Sequence, residues 1–298
     1  MPEIPDVTVY VEALEQRVAG ESLASYAVLS PFVLRSVDPP LDALVGRGVR
    51  NVRRLGKRIV FAFDDELYLV LHLMIAGRLR WTDAGARLKR PGRIGLATLG
   101  FPTGTLLLTE AGSTRRASLH VVRGRDALAA FDRGGLEVLD ATREQFAERL
   151  AREHHTLKRC LTDPRLFSGI GNAYSDEILH RARLSPLKLT HRLTEDEVAR
   201  LFDATRDTLT EWTARLRAEA GDGFPVQVTA FRDGMAVHGR YREPCPVCGT
   251  PVQRIRYRAN ETNYCARCQT EGRLLADRAL SRLLREDWPR TVEESEEG

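Results

Sequence analysis

The sequence predicts a multidomain α+β protein, in which an N-terminal helix and a β-sandwich precede a helical domain and a short C-terminal hairpin. Three observations predict this class. Short strand-like segments follow one another from Ser22 to Val122, spacings typical of helix N-termini appear after Gly134-Gly135, and four of the five cysteines form two close pairs near the C-terminus. At 298 residues the chain is long enough for two domains, each with its own core.

An amphipathic helix is predicted to follow the first six residues, Met1-Pro2-Glu3-Ile4-Pro5-Asp6. Pro5 and Asp6 suit the first turn of this helix, where a missing N–H and a negative charge are both tolerated. The pattern ends at Gly20. The apolar residues that recur at helical spacing are Val7, Tyr10, Val11, Leu14 and Val18.

Pro2 could also carry chemistry, because removal of Met1 would leave it with a free secondary amine. A terminal amine has a pKa of about 8, so much of it is neutral at physiological pH. Such an amine is a usable nucleophile toward a carbon that can form an iminium, and the Glu3 carboxyl beside it could move protons. An ordinary helix start after an uninvolved terminus would explain the same residues.

Residues 22–122 have the short, numerous strand patterns of a β-sandwich or barrel, capped by the first helix. Asp64-Asp65 and Pro102-Thr103-Gly104 are typical of turns between paired strands. The predicted strands are Ser25–Leu29, Val49–Arg53, Arg58–Phe63, Leu67–Leu73, Ile94–Leu99, Thr105–Thr109 and Leu119–Val122.

Helical patterns dominate beyond Gly134-Gly135, where two capping-box spacings and two shorter patterns are present. The predicted helices begin at Thr142 with Gln145 and at Thr194 with Glu197, the latter running to Ala220, and lie around Leu157–Thr162 and Ala173–Arg183. With a boundary near residues 125–137, we expect domains over residues 1–130, 131–236 and 237–275, and a C-terminal extension over 276–298.

The charge distribution favours a phosphate-rich partner. The net charge is +4, but Val292–Gly298 carries four acidic groups, so the remaining chain has a charge of about +8, with more arginine than lysine. The acidic tail lacks an apolar pattern and is predicted to be disordered. No apolar run is long enough to cross a bilayer and the N-terminus lacks a signal peptide, so we expect a cytoplasmic protein without membrane contacts.

The four paired cysteines predict a zinc-binding β-hairpin. Cys245, Cys248, Cys265 and Cys268 form a C-x2-C-x16-C-x2-C arrangement, which supplies four thiolates to one tetrahedral Zn²⁺ and leaves no open position. The metal is therefore expected to be structural. Between the pairs, period-two alternation places three arginines on one face of the hairpin, suited either to a duplex backbone or to solvent alone. These arginines are Arg254, Arg256 and Arg258.

A Gly-Ile-Gly-Asn turn, Gly169–Asn172, directly precedes a predicted helix. Glycines allow a phosphate to approach the backbone closely, and the N–H groups of the helix start point toward it. A plain connection between two helices would contain the same residues.

Taken in order, these motifs resemble the formamidopyrimidine-DNA glycosylase / endonuclease VIII family of DNA repair enzymes. The resemblance covers the chain except its acidic tail. It implies an N-terminal helix plus β-sandwich, a helix–two-turn–helix domain and a zinc hairpin, with damaged or abasic double-stranded DNA bound by a monomer, nucleoid-associated if bacterial. The motifs are Pro2-Glu3, Gly56-Lys57, His72-Leu73 to Gly77, Arg115-Arg116, Leu157-Lys158, Gly169–Asn172 and the four-cysteine hairpin.

The resemblance also implies a bifunctional glycosylase and AP lyase. Pro2 matches the amine that attacks the sugar, Glu3 the essential acid, and Lys57 a basic residue near the lesion, although an ordinary strand lysine is the alternative. Asp6 stands where the family often has a second glutamate. The implied DNA-binding residues are Arg116, Lys158 and Asn172, with Arg254, Arg256, Arg258 and Asn260 on the hairpin. Met74 and Ile75 match the loop that fills the space left by a flipped base, or else belong to the core.

Some residues depart from the family pattern. Asn260 stands where the hairpin tip normally has an arginine, which Arg258 could replace, and Glu261 beside it would repel a phosphate. Ala117 replaces a phenylalanine typical of 8-oxoguanine enzymes, and Asp222–Gly239 is short for their lesion loop. These departures favour oxidised pyrimidines or abasic sites as substrates. They also permit an alternative function, a non-catalytic DNA-binding protein that recognises damage or structure.

Two other kinds of residue are not assigned to the site. Cys160 lies at an apolar position of a short helix and is predicted to be a buried thiol. No metal-ligand spacing connects the histidines His120, His154, His155, His180 and His238.

Overall fold

The computed structural model describes residues 1–87, 92–112, 114–226, 232–257, 260–276 and 290–296. The chain divides into two compact units, the first formed by Met1–Arg133 with Trp212–Thr229 and the second by Gly134–Glu211 with Ala230–Gly298. Among the described residues, no helix combines the length and apolar character that a membrane span requires.

The first unit begins with helix α1, Ile4–Val18. Its apolar face buries Val7, Tyr10 and Leu14 in a core that also contains Phe61 and Leu106, which belong to two different β-sheets. The helical spacing of the sequence therefore predicted the buried face of α1 correctly, and packing of this face fixes where the chain begins.

Two antiparallel four-stranded sheets form the β-sandwich of the first unit, with strand orders β1-β6-β7-β5 and β2-β3-β4-β8. This confirms the predicted fold class. The short helix α2 (Arg125–Ala129) follows β8. The strands are β1 (Ser25–Val28), β2 (Val49–Leu55), β3 (Arg58–Phe63), β4 (Leu67–His72), β5 (Gly77–Asp83), β6 (Gly95–Phe101), β7 (Gly104–Glu110) and β8 (Ser118–Arg123).

Strand β5 was not among the predicted strands. It pairs along its whole length with β7, from Gly77 opposite Glu110 to Asp83 opposite Gly104. Leu79 is buried, and the Trp81 ring stacks on Phe101 with 6.3 Å between ring centroids. Alternating arginines make this segment polar in sequence, so its strand character depends on the partner strand.

The second unit contains the predicted helices. Helix α3 (Arg143–Ala151) begins with a capping box, in which the Gln145 N–H donates to Thr142 Oγ1 at 3.3 Å and the Thr142 N–H donates to Gln145 Oε1 at 2.9 Å. The equivalent bonds join Thr194 and Glu197 at the start of the longest helix. The remaining helices are α4 (Leu157–Thr162), α5 (Asn172–Arg181) and α6 (Glu195–Ala220), of which α6 continues from Trp212 onward into the first unit.

The second unit also contains the C-terminal hairpin. Strand β9 (Gln253–Tyr257) pairs with β10 (Asn260–Tyr264), and the short helix α7 (Ala266–Thr270) follows. The expectation of a disordered acidic tail is wrong for its first residues, because α8 spans Val292–Glu296. Val292 is buried against Tyr264 and Ala266.

A capping interaction explains where α8 begins. The Glu294 N–H donates to Thr291 Oγ1 at 3.3 Å, and the Arg290 N–H donates to Glu294 Oε2 at 2.6 Å. These bonds and the buried Val292 side chain order a segment whose acidic composition alone suggested disorder.

Candidate active site and zinc site

The N-terminal residues lie in a buried, hydrogen-bonded position of the first unit. Pro2 is buried, and the Glu3 and Asp6 residues retain only 2% and 1% of their accessible surface. The Glu3 N–H donates to Asp6 Oδ2 at 2.9 Å. The carboxylate of Asp6 therefore supports the helix start from within the first turn, as its sequence position suggested.

Charged groups converge on the N-terminal amine, which belongs to Met1 in this structure. Burial lowers the pKa of this amine, the carboxylates of Glu3 and Asp6 act in the opposite direction, and Arg78 and Lys57 lower it further. Pro2, Glu3 and Lys57, the three predicted catalytic residues, are thus placed in one region of the first unit. Arg78 also belongs to this region, and sequence reasoning missed it because its strand was not predicted.

Lys57 is positioned by the tight connection between β2 and β3. Leu55 pairs with Arg58, so Gly56 and Lys57 form a two-residue turn in which Gly56 has φ +60°. A glycine at this point suits the backbone of such hairpins. The turn holds the lysine at a strand end rather than within a strand.

His72 lies near the same basic groups and is held neutral. Burial lowers its pKa to about 4, with further contributions from Arg58, Lys57 and His120. The imidazole therefore carries no charge at neutral pH and does not add to the positive potential of this region.

The turn between β4 and β5 carries the two predicted wedge residues. Met74 has φ +52°, and Ile75 is 61% exposed although it is apolar. A Cβ added at Gly77 would lie 2.2 Å from the Leu73 carbonyl oxygen, so the turn requires glycine there. The Arg78 guanidinium donates to the Gly77 carbonyl at 2.7 Å. Ile75 is consequently displayed on a constrained turn.

Arg116 is exposed, and its backbone is fixed by a buried carboxylate. Glu110 Oε2 accepts the N–H groups of both Arg116 and Ala117 at 2.9 Å each. Ala117 is buried, with 3% of its surface accessible. The segment that precedes β8 therefore has a defined course, although nothing in the sequence predicted the role of Glu110.

In the second unit, Lys158 of α4 is bonded to the start of α5. Its Nζ donates to the Asn172 carbonyl at 2.7 Å and to Asp176 Oδ1 at 2.5 Å. The Asp176 side chain is fully buried, whereas the Lys158 side chain keeps 12% of its surface. The structure thus brings the Lys158 ammonium to the backbone of Asn172 at the start of α5.

The hairpin face carries Arg254 and Arg256 on alternate positions of β9. Arg254 lies over the Tyr241 ring, 4.0 Å from its centroid, and its Nη1 is 3.7 Å from Glu261 Oε2. Arg256 is exposed and pairs across the hairpin with Glu261. The acidic residue therefore reduces the positive charge of this face.

Two other predicted hairpin residues lie at the edge of what the structure describes. Arg258 lies outside the described residues. Asn260 is described as the first residue of β10, where it pairs with Tyr257.

The four paired cysteines form a cluster with the dimensions of a zinc site. Their sulfur atoms all lie within 4.8 Å of one another, with 3.9 Å between Cys245 and Cys268 and 3.4 Å between Cys248 and Cys265. Four thiolates about 2.3 Å from a tetrahedral Zn²⁺ would be about 3.8 Å apart. The residues therefore fit one structural Zn²⁺, as predicted.

Two histidines without an assigned role have buried contacts in the second unit. His180 Nε2 lies 3.3 Å from Cys245 Sγ, and His238 Nδ1 lies 2.8 Å from Asp176 Oδ2. Sequence spacing could not reveal these contacts, because each joins residues more than sixty positions apart. The fifth cysteine, Cys160, is buried as predicted, and burial raises the pKa of its thiol to about 12.

Comparison with known proteins defines the class to which this fold and these sites belong. Family models match three stretches of the chain: the formamidopyrimidine-DNA glycosylase N-terminal domain over residues 1–110, the formamidopyrimidine-DNA glycosylase H2TH domain over residues 136–218, and the zinc finger found in FPG and IleRS over residues 242–270. The three matches follow the order of the β-sandwich, the helices and the cysteine hairpin.

Individual relatives lead to the same family. Formamidopyrimidine-DNA glycosylase of Thermus thermophilus is 34% identical over 293 residues, which cover 91% of this chain and 100% of the relative. That of Desulforamulus reducens is 31% identical over 288 residues, covering 90% and 99%. A crystal structure of Lactococcus lactis FPG with FAPY-dG-containing DNA is 25% identical, with a TM-score of 0.76 over 90% of this chain and 100% of that one. The chain belongs to the formamidopyrimidine-DNA glycosylase family.

Loss of one paired cysteine should abolish stoichiometric zinc binding, whereas loss of the fifth should not. We expect about one Zn²⁺ per chain in the wild type and in Cys160→Ala, and much less in Cys268→Ala, because three thiolates leave the tetrahedral site incomplete. Metal analysis by mass spectrometry, with hydrogen exchange over residues 245–268, measures both effects. Full zinc occupancy in Cys268→Ala would contradict the assignment.

The depressed pKa of His72 predicts a specific acid sensitivity. The ordinary histidine pKa is about 6.5, so as the pH falls below 6.5 the unfolded chain binds a proton that the folded chain excludes, and stability decreases. Between pH 8 and pH 5 the wild type should lose about 2 kcal/mol more unfolding free energy than His72→Gln. Urea denaturation at both pH values measures this difference, and equal losses would show that His72 is not responsible.

Proposed function

We propose that this protein is a bifunctional DNA glycosylase and AP lyase of base excision repair, acting as a monomer on double-stranded DNA. The observation that carries the proposal is that Glu3, Asp6, Lys57 and Arg78 all act on the charge of the Met1 amine, directly beside the buried Pro2. A nucleophilic amine, a buried carboxylic acid and basic groups are what such a reaction requires. The DNA-bound Lactococcus lactis relative supports the choice of partner.

The proposed reaction begins after removal of Met1, when the Pro2 nitrogen is a secondary amine. This nitrogen attacks the anomeric carbon of the damaged nucleotide, and the bond from that carbon to the base breaks. Opening of the sugar ring then gives an iminium between Pro2 and the deoxyribose. Glu3 assists ring opening and moves protons, since it lies one residue from the nucleophile in a buried position.

The lyase step follows from the iminium. A positively charged nitrogen makes the neighbouring sugar C–H bond acidic, so successive eliminations expel the phosphates on both sides and water releases Pro2. Burial lowers the pKa of the Met1 amine in this structure. We propose that the buried Pro2 amine, once Met1 is removed, is affected in the same direction, which would increase its neutral, nucleophilic fraction.

The predicted phosphate contacts are distributed over both units. Lys57 and Arg116 belong to the first unit, whereas Lys158, Asn172 and the hairpin arginines belong to the second. We propose that they bind the backbone of the damaged strand and its complement.

Extrusion of the damaged nucleotide requires a replacement in the base stack. Flipping a base out of the duplex costs a few kcal/mol, and apolar side chains often enter the space that remains. We propose that Ile75 and Met74 serve this purpose. The exposure of Ile75 on a constrained turn supports this role better than a core role.

Two features bear on the preferred lesion. The buried Ala117 offers no large ring, and the segment from Asp222 to Gly239 is short for a loop that covers an oxidised purine. We propose that abasic sites and oxidised pyrimidines are preferred over 8-oxoguanine. The name of the relatives makes formamidopyrimidine lesions the second candidate.

A non-catalytic DNA-binding protein is the alternative function. Glu261 lies beside the hairpin arginines, which weakens the expected phosphate contact, and Ala117 departs from the pattern of the 8-oxoguanine enzymes. Binding to abasic-site analogues without turnover of any lesion would establish this alternative.

Borohydride trapping tests the proposed nucleophile. The wild type should form a covalent adduct with abasic-site DNA after reduction of the iminium. Pro2→Gly lacks the secondary amine, so its adduct yield and cleavage should fall sharply. Glu3→Gln should reduce cleavage by about 100-fold or more. Glu21→Gln, which alters a carboxylate just beyond α1, is the matched control and should react like the wild type. Intact mass confirms that Met1 has been removed. The absence of any adduct from processed wild type would refute the lyase proposal.

One oligonucleotide panel tests the lesion preference. Duplexes carrying an abasic site, thymine glycol, dihydrouracil, 8-oxoguanine or a formamidopyrimidine are cleaved under identical conditions. We expect the abasic and pyrimidine substrates to react at least about tenfold faster than 8-oxoguanine, the factor that one lost pocket contact produces. A faster reaction with 8-oxoguanine would show that Ala117 and the short segment do not determine the preference.

A further inference from the structure

We propose that His238 is a positioning residue that acts through Asp176 to orient the Lys158 ammonium toward a DNA phosphate. The inference rests on the proposed function, because it concerns how a predicted phosphate-binding lysine is held. None of the sequence motifs includes His238, and the proposed reaction does not use it.

Asp176 connects the two residues through its two carboxylate oxygens. Oδ1 accepts from Lys158 Nζ at 2.5 Å, and Oδ2 lies 2.8 Å from His238 Nδ1. A carboxylate only accepts hydrogen bonds, so His238 donates through Nδ1–H. The side chains of Asp176 and His238 are 0% and 4% exposed, and this hydrogen bond is therefore shielded from water.

The neighbouring residue Glu177 fixes the backbone that carries His238. Its Oε1 accepts the N–H groups of Val237 and His238 at 3.0 and 2.9 Å, and its Oε2 accepts the Ala236 N–H at 2.7 Å. Burial raises the pKa of Glu177, while these three hydrogen bonds act in the opposite direction. The adjacent acids of α5 thus hold the same turn, one through its backbone and the other through the His238 ring.

The geometry of Lys158 makes this arrangement relevant to a ligand. An ammonium has three donors, and two are directed at the Asn172 carbonyl and at Asp176. The side chain retains 12% of its surface, and we propose that the third donor meets a phosphate oxygen. Without the His238 bond, the buried Asp176 carboxylate would lose its second partner and could rotate, which would displace the ammonium.

The same contacts could serve only to attach the turn to α5. If the contact between His238 and Asp176 is purely structural, its loss weakens the protein whether or not Lys158 is present. If the contact positions Lys158, its loss has no effect on DNA affinity once the lysine has been replaced. Measurements with and without Lys158 therefore separate the two roles.

The experiment compares His238→Asn with His238→Leu, two side chains of similar shape of which only asparagine can donate to Asp176. Binding of full-length, zinc-loaded protein to a duplex with an uncleavable abasic-site analogue is measured over a range of salt concentrations. We expect His238→Leu to bind about tenfold more weakly, with a salt slope smaller by up to about 0.9 because one phosphate contact is lost. His238→Asn should bind like the wild type.

The same comparison in a Lys158→Met background completes the test. There His238→Leu should cause no further loss of affinity, because the lysine it positions is absent. If His238→Leu does not fold, His238→Gln replaces it, since its longer amide cannot donate from the Nδ1 position. Zinc content and hydrogen exchange confirm that each variant is folded.

Three outcomes would overturn the inference while leaving the proposed function in place. Equal losses in His238→Leu and His238→Asn would show that ring shape matters rather than the hydrogen bond, and an undiminished loss in the Lys158→Met background would show a structural role. Wild-type DNA affinity in His238→Leu would contradict the role of His238 but would leave the proposed function intact. A wild-type protein that neither binds the abasic analogue nor is trapped on abasic DNA would instead remove the proposed function together with it.

Discussion

Both candidate sites depend on carboxylates that are buried beside nitrogen groups. Burying an ionised carboxylate is unfavourable unless hydrogen bonds and opposite charges replace its water. At the N-terminus, Asp6 accepts the Glu3 N–H, and the carboxylates of Glu3 and Asp6 raise the pKa of the Met1 amine against the effect of burial. In the second unit, Asp176 accepts from Lys158 and His238. Displacing Lys158 or His238 would leave the Asp176 carboxylate buried without that partner, which is unfavourable, so both groups are held in place.

The buried N-terminus follows from how α1 packs. Its apolar face enters the core between the two sheets, and the helix starts at Ile4, directly after the residues with proposed chemical roles. A terminus is normally mobile because nothing holds it. Here the helix and the Asp6 bond hold it, which a nucleophile needs if it is to meet a sugar carbon at a defined angle.

The sequence predicted those features that local patterns determine. Helical spacing located α1, capping boxes located α3 and α6, and cysteine spacing located the zinc hairpin. Strand β5 was not predicted because its two arginines make the segment polar in sequence. Its strand character becomes evident only from its pairing with β7. Helix α8 was not predicted because the acidic composition of the tail indicated disorder, and the helix cap at Thr291 was not recognised in the sequence. The contact between His238 and Asp176 joins positions 62 residues apart, and no spacing rule could reach it.

The zinc hairpin has a role in the second unit beyond its own fold. A segment this short cannot form a core alone, and the metal closes it. Buried side chains then connect it to the segment that follows α5 and to the turn that carries His238. Gln269 Nε2 donates to the Leu184 carbonyl at 2.9 Å, and Asn263 Oδ1 accepts the Gly239 N–H at 3.0 Å. His180 of α5 lies against Cys245.

Because Gly239 follows His238 directly, order in the hairpin stabilises the turn from one side while Glu177 stabilises it from the other. Order at the zinc site thereby extends to the turn that carries His238.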